Sequence, residues 1–483
     1  MSRREKKRKS LPRRIIGTVV RLILLVLVVN LIAAYAPFIR LPALPDGAGA
    51  AAIWRAAMMF QDADTGDRAM IIESSADALD ERIRLIQQAQ EEIVIVTYEN
   101  HDGESTRDIL AAALDRADQG VKVRFLVDGI AGRFDHMGGD LFQAVAAHSN
   151  VEVRFYNLVR PLTPWKHMGR MHDKYVIVDH TAYILGGRNM FDKFLGEYTA
   201  TNRSLDREAL ILSGGPGGSM DELRAYFEGM WAGDETSVFA PFEKISQERC
   251  RAVYDSLKER LARLKREKPD LFEPCDYEAR TTATQGVWLL SNPTTIYAKE
   301  PTVFAQLTAL MRMAKDDVTI HSPYAVLNPY MRETLKSVAE KVPVTLMINA
   351  VENGANVVAS GDYLYHKGEV LATGAQILEY ASGKSYHGKA AAIDDRLSVI
   401  GSFNMDLRSA YVDTELMLVI RSPEINAELR SYMDTLHADC RRVIDEKTSE
   451  TPPGLEVPDC PFWKRAMMYV LGALMQPVRN LAS

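Results

Sequence analysis

The sequence predicts an α/β protein made of two copies of one unit in a single chain, related by a pseudo-twofold and preceded by one membrane-spanning helix. Three observations carry this reading. The pattern His-x-Lys-x4-Asp occurs twice, as HDKYVIVD from residue 172 and as HGKAAAID from residue 387. The sequence around both copies repeats in the same order. Residues 15–39 form one long apolar run, IIGTVVRLILLVLVVNLIAAYAPFI.

The repeat extends well beyond the motif. AYILGGRNMFD follows the first copy and LSVIGSFNMDL the second, so Asn189 and Asn404 keep the 215-residue offset of the histidines. Upstream, AQEEIVIVTYE (89–99) matches AKDDVTIHSPY (314–324), and VKVRFLVDG (121–129) matches VPVTLMINA (342–350). Downstream, REALIL (207–212) aligns with TELMLV (414–419), which pairs Glu208 with Glu415; DELRAYF (221–227) aligns with AELRSYM (427–433). Strands alternate with helices in each copy, the signature of a sheet covered by helices. The chain divides into a basic tail (1–14), an anchor (15–39), a linker (40–67), a first half (68–240), a helical insertion (241–285), a second half (286–448) and a C-terminal segment (449–483). The insertion reads as a charged amphipathic surface helix, QERCRAVYDSLKERLARLKREK.

Residues 1–14 hold eight Lys/Arg and one acid, so the net charge of −6 leaves −13 on the rest. An acidic body disfavours a nucleic-acid-binding role. The apolar run is long enough to span a bilayer, and its one charge, Arg21, lies near the basic end, where it can snorkel to the interface. Ala34-Tyr35-Ala36 resembles a signal-peptidase site, but Pro37 would follow the cut, which favours an uncleaved anchor over a signal peptide. The positive-inside rule then places the N-terminus in the cytoplasm and the body across the membrane. In the C-terminal segment, Trp463, Met467, Val470, Leu471, Leu474 and Val478 share one helical face behind Lys464 and Arg465, as in an interfacial helix; a helix docked on the core is the alternative.

The four cysteines, Cys250, Cys275, Cys440 and Cys460, form no CxxC, which argues against zinc. Two disulfides are allowed, with local pairing of Cys250 to Cys275 and Cys440 to Cys460 favoured; four separate thiols are the alternative.

Within a strand, His172 and Lys174 point to one face, and so do His387 and Lys389. A hairpin centred on His180–Thr181 brings Asn189 opposite His172, and the same arithmetic brings Asn404 opposite His387. Gly186-Gly187 and Gly401-Ser402 lack bulk and would let backbone and ligand approach closely. Two such hairpins face to face gather two imidazoles, two ammonium groups and two amides. That set suits a phosphodiester: Lys and Asn hold the non-bridging oxygens, one His attacks phosphorus, and the other protonates the leaving alcohol. The lysines supply the positive charge, so neither a metal nor a cofactor is required.

HDKYVIVD with GGRN, and HGKAAAID with GSFNMDLRS, resemble the paired HKD motifs of the phospholipase D superfamily. The similarity spans about residues 68–445. GAQILEY, YHGKAAAID and IGSFNMDLRSAYVDTE resemble bacterial cardiolipin synthases, particularly of the C type, as do RMHDK (170–174) and FWKRAMMYVLGAL (462–474). Asp413 departs from the Asn usual near that position, which bears on substrate preference. The resemblance implies a membrane-bound bacterial phosphatidyltransferase acting on phospholipids, with phospholipid hydrolysis and then a nuclease as the alternatives. It implies a phosphohistidine on His172 and acid–base work by His387, with Lys174, Lys389, Asn189 and Asn404 on the phosphoryl oxygens. Asp179 and Asp394 complete and brace the two motifs, and Glu208 and Glu415 orient the histidines, ordinary surface or ion-pair acids being the alternative for the two glutamates.

Overall fold

The computed structural model describes residues 11–61, 65–132, 139–160, 162–199, 203–240, 244–353 and 356–481. The strands of the first half are β1 (Arg68–Ile72), β2 (Glu92–Thr97), β3 (Lys122–Asp128), β4 (Val151–Tyr156), β5 (Tyr175–Val178), β6 (Ala182–Gly186), β7 (Ser204–Leu205), β8 (Glu208–Leu212) and β9 (Thr236–Val238), followed by β10 (Thr282–Ala283). Those of the second are β11 (Gly286–Ser291), β12 (Val318–His321), β13 (Val344–Asn349), β14 (Gln376–Tyr380), β15 (Ser385–Tyr386), β16 (Lys389–Ile393), β17 (Leu397–Gly401), β18 (Leu416–Arg421), β19 (Cys440–Val443) and β20 (Ser449–Glu450).

One sheet runs β10-β1-β8-β6-β5-β2-β3-β4-β9, and the other β11-β18-β17-β16-β12-β13-β14-β19-β20. Laid side by side, β1 through β9 of the first match β11 through β19 of the second, the order a duplicated unit requires. β2, β3 and β4 are parallel, as are β12, β13 and β14, while the motif hairpins β5–β6 and β16–β17 run antiparallel beside them.

Helix α1 covers Leu11–Tyr35 and α2 Ala48–Met59; α3 (Ser75–Gln87) and α4 (Glu104–Ala117) cover the outer face of the first sheet. The two sheets turn their other faces towards each other. Val94, Ile177 and Ile211 of the first and Ala392, Ile400 and Leu418 of the second share one buried cluster with α5 (Ser219–Trp231) and α6 (Pro423–His437). The halves are therefore joined by a common hydrophobic core, the term that dominates folding.

Several segments differ from the sequence expectation. The span 40–67 is more than a linker: α2 buries Ala52, Ala56 and Met59 against the second half. In the segment 241–285, the helix Gln247–Glu267 lays Leu257, Leu261 and Leu264 on the first half's outer core, and β10 adds a short edge strand to the first sheet. The C-terminal helix Phe462–Met475 docks on the second half by one face and leaves apolar residues exposed on another. Gly472 and Gly361 meet where a Cβ would lie 2.1 Å from a backbone oxygen, which lets this helix dock closely on Val357–Leu371, while Phe462, Trp463, Val470 and Leu474 stay exposed. Leu471 is half-buried, Val478 lies beyond the helix, and Arg465 is taken by Glu352. All four cysteines are free thiols. Cys250 sits in the first turn of the helix Gln247–Glu267, which carries the chain roughly 25 Å away from it before Cys275 is reached. Cys440 is buried in β19, donating to the Leu436 carbonyl at 3.3 Å.

The hairpin turns hold one residue more than expected. Val178 pairs with Ala182 and Ile393 with Leu397, leaving three-residue loops led by Asp179 (φ 51°) and Asp394 (φ 49°). Aspartate tolerates this left-handed conformation better than most residues. Asp179 accepts from the backbone N–H of Gln90, Glu91 and Glu92 at 2.7–2.8 Å; Asp394 accepts from those of Lys315, Asp316 and Asp317. Each carboxylate thus ties the hairpin to the start of the neighbouring strand. Asp179→Ala is expected to cost about 1–2 kcal/mol, read as a lower urea midpoint at unchanged m-value. Asp179→Asn, which keeps one acceptor, should cost less.

Candidate active site

The residues just ahead of β5 and β16 leave the sheets as extended segments, and each segment pairs with the opposite half. Met171 bridges in parallel to Thr414, with Thr414 N–H donating to Arg170 O at 2.9 Å and His172 N–H to Thr414 Oγ1 at 3.2 Å. In mirror fashion, β15 pairs in parallel with β7, and His387 N–H donates to Leu205 O at 2.7 Å. Each histidine therefore comes to rest beside a carboxylate from the other half. His172 Nδ1 lies 2.9 Å from Glu415 Oε1, and His387 Nδ1 lies 2.7 Å from Asp206 Oδ2.

A carboxylate on Nδ1 sets the ring's orientation and leaves Nε2 as the outward atom. The Tyr98 ring packs edge-on against His172 with centroids 5.1 Å apart, and Phe194 stands 5.0 Å from His387. Lys174 and Lys389 are buried and each donates to the carbonyl of its own motif histidine; Lys389 Nζ also lies 2.8 Å from His387 Nδ1. Lys174 sits 5.3 Å from the Tyr98 ring centroid, a cation–π contact.

The electrostatics follow from burial. Burial lowers His172 well below its ordinary value, helped by the positive charge of Lys174 and Lys389. Burial and Lys389 bring His387 down to about 3. Both imidazoles are therefore neutral at pH 7. Burial brings Lys174 down to about 8 and Lys389 to about 7. The charge of each lysine acts on the histidine of the opposite motif, so the two motifs form one electrostatic site. The carboxylates differ. Burial lifts Glu415 to about 8. Asp206, despite its burial, is held well below the usual carboxylate range by the hydrogen bond from His387 and the charge of Lys389.

The orienting acid of the first half is thus Asp206, not Glu208. Glu208 is buried in an ion pair with Arg82 and lies 3.5 Å from Arg188. The sheet registers give the reason: Gly186 faces Glu208, whereas Gly401 faces Met417, so Glu415 corresponds to Asp206. Aligning REALIL with TELMLV keeps the side-chain face but displaces the strand by two residues, roughly 7 Å. Counting from the glycines in sequence does not find it, because 14 residues separate Gly401 from Glu415 and 20 separate Gly186 from Asp206; the strand register alone sets Asp206 in that place.

The other expected residues distribute as follows. The three-residue turns shift each hairpin by one position, so neither Asn189 nor Asn404 sits opposite its histidine. Asn189 is buried, with its amide 3.5 Å from Glu99 Oε2; Asn404 is buried with a backbone N–H donating to Ser409 Oγ. Gly187 makes room for a side chain rather than a ligand: a Cβ there would lie 2.3 Å from Asp206 Oδ1. Ser402 donates to Glu415 Oε2, and Ser409 to Glu415 Oε1. Asp179 and Asp394 lie at the far ends of β5 and β16 from the histidines, one strand length away. Asp413 pairs with Arg408 at 2.8 Å and accepts from Arg170 N–H. Sequence reading also passed over Asp173, which is buried between Tyr226 and Thr414 and pushed by burial up to about 7.

A protein-family model described as "Cardiolipin synthase, PLD-like domain" matches residues 83–231 and 307–437. An uncharacterized protein of Helicobacter pylori is 26% identical over 410 residues, covering 75% of this chain and 78% of that protein. Cardiolipin synthase C of Escherichia coli is 25% identical over 391 residues, covering 73% of this chain and 80% of that one. Cardiolipin synthase A of Pseudomonas fluorescens is 23% identical over 369 residues, covering 76% and 67%. In fold, the chain is similar to phosphatidylserine synthase of Haemophilus influenzae, with a TM-score of 0.61 at 13% identity, over 88% of this chain and all of that one. With the family model covering more than half of its length and matching both halves, the chain belongs to the phospholipase D superfamily of enzymes, in its cardiolipin synthase branch.

Proposed function

We propose that the protein is a membrane-bound phosphatidyltransferase of the cardiolipin synthase type, working through a phosphohistidine on His172. The observation that carries this reading is the crossed pair of imidazoles, each held at Nδ1 by a carboxylate of the opposite half, with a buried lysine beside each. The names of the relatives, cardiolipin synthases C and A, support a phospholipid as substrate.

In the first step, neutral His172 presents the Nε2 lone pair to phosphorus. The N–P bond forms as the P–O bond to the leaving alcohol breaks. His387 protonates the departing oxygen from Nε2; the bound phosphodiester anion raises its proton affinity, and Asp206 stabilises the imidazolium. In the second step, His387 takes the proton of the acceptor alcohol, whose oxygen displaces His172 from phosphorus. Lys174 and Lys389 hold the non-bridging oxygens as charge builds on them. Asn189 and Asn404 remain candidates for the same role.

Purified protein given labelled phosphatidylglycerol should yield cardiolipin and glycerol. Phosphatidic acid as the sole product would identify a hydrolase, and an inert lipid with cleaved nucleic acid would overturn the reading. His172→Ala and His387→Ala should each lower kcat by about 10⁴ or more, and the double variant little further, because the two act as a unit. Asp206→Ala should cost about 10²–10⁴, as for the orienting acid of a triad. Glu208→Gln should act on stability instead.

The lysines give the pH dependence. Each is charged below its pKa and neutral above it, so kcat/KM, which reports the free enzyme, should fall as pH rises through about 7 for Lys389 and about 8 for Lys174. The limb in kcat should lie higher, because bound phosphate raises both lysines. Asp206 holds Lys389 up, so Asp206→Asn should move the kcat/KM limb to lower pH.

Residues Ile16–Phe38 form a helix long and apolar enough to cross a membrane. Eight basic residues precede it, against only Arg40 and Arg55 between Pro37 and Gly66. This asymmetry favours a cytoplasmic N-terminus and a catalytic body on the outer side of the bacterial cytoplasmic membrane. An export-dependent reporter fused after Ser483 should be active, and protease should digest the body in intact spheroplasts. Digestion only after lysis would reverse the orientation.

A further inference from the structure

The segment that leads into the first motif carries two exposed apolar side chains. Leu162 is 89% exposed and Trp165 is 42% exposed. They are not on a slack loop. The buried amide of Asn157 donates to the carbonyls of Lys166 and Gly169 at 2.6 and 2.7 Å, and Arg408 of the second half donates to Met168 O at 2.9 Å. Gly169 closes on the second half so tightly that a Cβ would lie 2.2 Å from Ile296 O, next to Tyr297, which is also exposed. Three residues after Gly169 comes His172. The braced loop is thus part of the rim of the site, and its apolar tip is presented outward.

The apolar helix α1 stands at this rim. Helix α1 packs against Pro164–Lys166. The α1 end is also fixed to the body: Tyr35 donates to Pro477 O, Phe38 is fully buried, and Asn480 donates to Phe38 O at 3.0 Å. The orientation of a span that begins here determines which surface meets the bilayer, and that surface includes the site's mouth. Apolar aromatic side chains are favoured at the membrane interface, where one end is dry and the other wet.

We propose that Leu162 and Trp165, with Tyr297 across the junction of the halves, form a lip that enters the bilayer interface beside the base of α1, so that a lipid headgroup reaches the histidines without its chains leaving the membrane. The substrate side of this inference rests on the phosphatidyltransferase reading; the insertion itself does not. A lip of this kind replaces water contact of the acyl chains by apolar contact along the whole entry path.

The full chain, reconstituted in phosphatidylglycerol–phosphatidylethanolamine vesicles, tests insertion without requiring turnover. The fluorescence of Trp165, taken as the difference between the natural chain and Trp165→Phe, should be quenched by lipids brominated in the upper acyl chain and shielded from iodide. Iodide quenching without bromine quenching would place the tip in water and overturn the proposal. Shielding from both would assign the lip to a second copy or a protein partner and overturn it equally. In a second measurement, Leu162→Glu with Trp165→Glu should lower the ratio of turnover on vesicles to turnover on a dispersed short-chain phospholipid by about tenfold. Equal losses on both would mark the loop as a support for His172 only. Bromine quenching in a chain that turns over no lipid would leave the lip standing and sink the functional reading instead.

Discussion

Everything around the site depends on two hydrogen bonds that cross between the halves, His172 to Glu415 and His387 to Asp206. Both carboxylates are buried to the point of having no exposed surface. Each acid finds its imidazole only in the opposite half, so neither half assembles the site alone. The shared core between the sheets brings the halves together, and the crossed pairs define their register. Two short parallel pairings, Met171 with Thr414 and β15 with β7, deliver each histidine to its acid. A duplicated unit has become obligate: the functional geometry belongs to the pair.

The same arrangement explains the eight-residue motif as a mechanical object. Its His-x-Lys end leaves the sheet and enters the site, while its Asp end, one strand away, accepts three backbone N–H groups at the turn before the neighbouring strand. The strand between is wholly buried. One end carries the proposed chemistry and the other holds the strand that aims it. The two halves are nevertheless unequal. Asp206 is kept ionised beside His387, whereas Glu415 is lifted by burial beside His172 and receives two serine hydroxyls. An ionised acid beside one imidazole and a proton-retaining one beside the other give the two histidines different proton affinities, a reasonable basis for different roles.

The ends of the chain are organised around the second half. Helix α2 and the C-terminal helix Phe462–Met475 both contribute buried residues to its outer core, and the C-terminal tail is bound to the end of α1. Arg479 clamps Asp362 in support. Ile53 and Trp54 on α2 and Trp463 and Leu474 on the C-terminal helix remain exposed.

The sequence by itself determined what is local or periodic. The duplication, the alternation of strands and helices and the apolar span are visible because each is written in consecutive residues. The pairing of His with Lys on one face follows from the two-residue period of a strand. Only the tertiary structure decided the rest. Whether a hairpin turn holds two residues or three is a matter of one left-handed aspartate, and that residue moved Asn189 and Asn404 from the places counted for them. Asp206 just precedes β8 and Glu208 begins it, and choosing between them needed Arg82, which lies 126 residues away in sequence and neutralises Glu208. Cys250 and Cys275, near each other in sequence, are carried apart by the helix in which Cys250 lies, and all four cysteines are free. These are long-range registers and contacts, set by how sheets and helices pack, and no window of residues contains them.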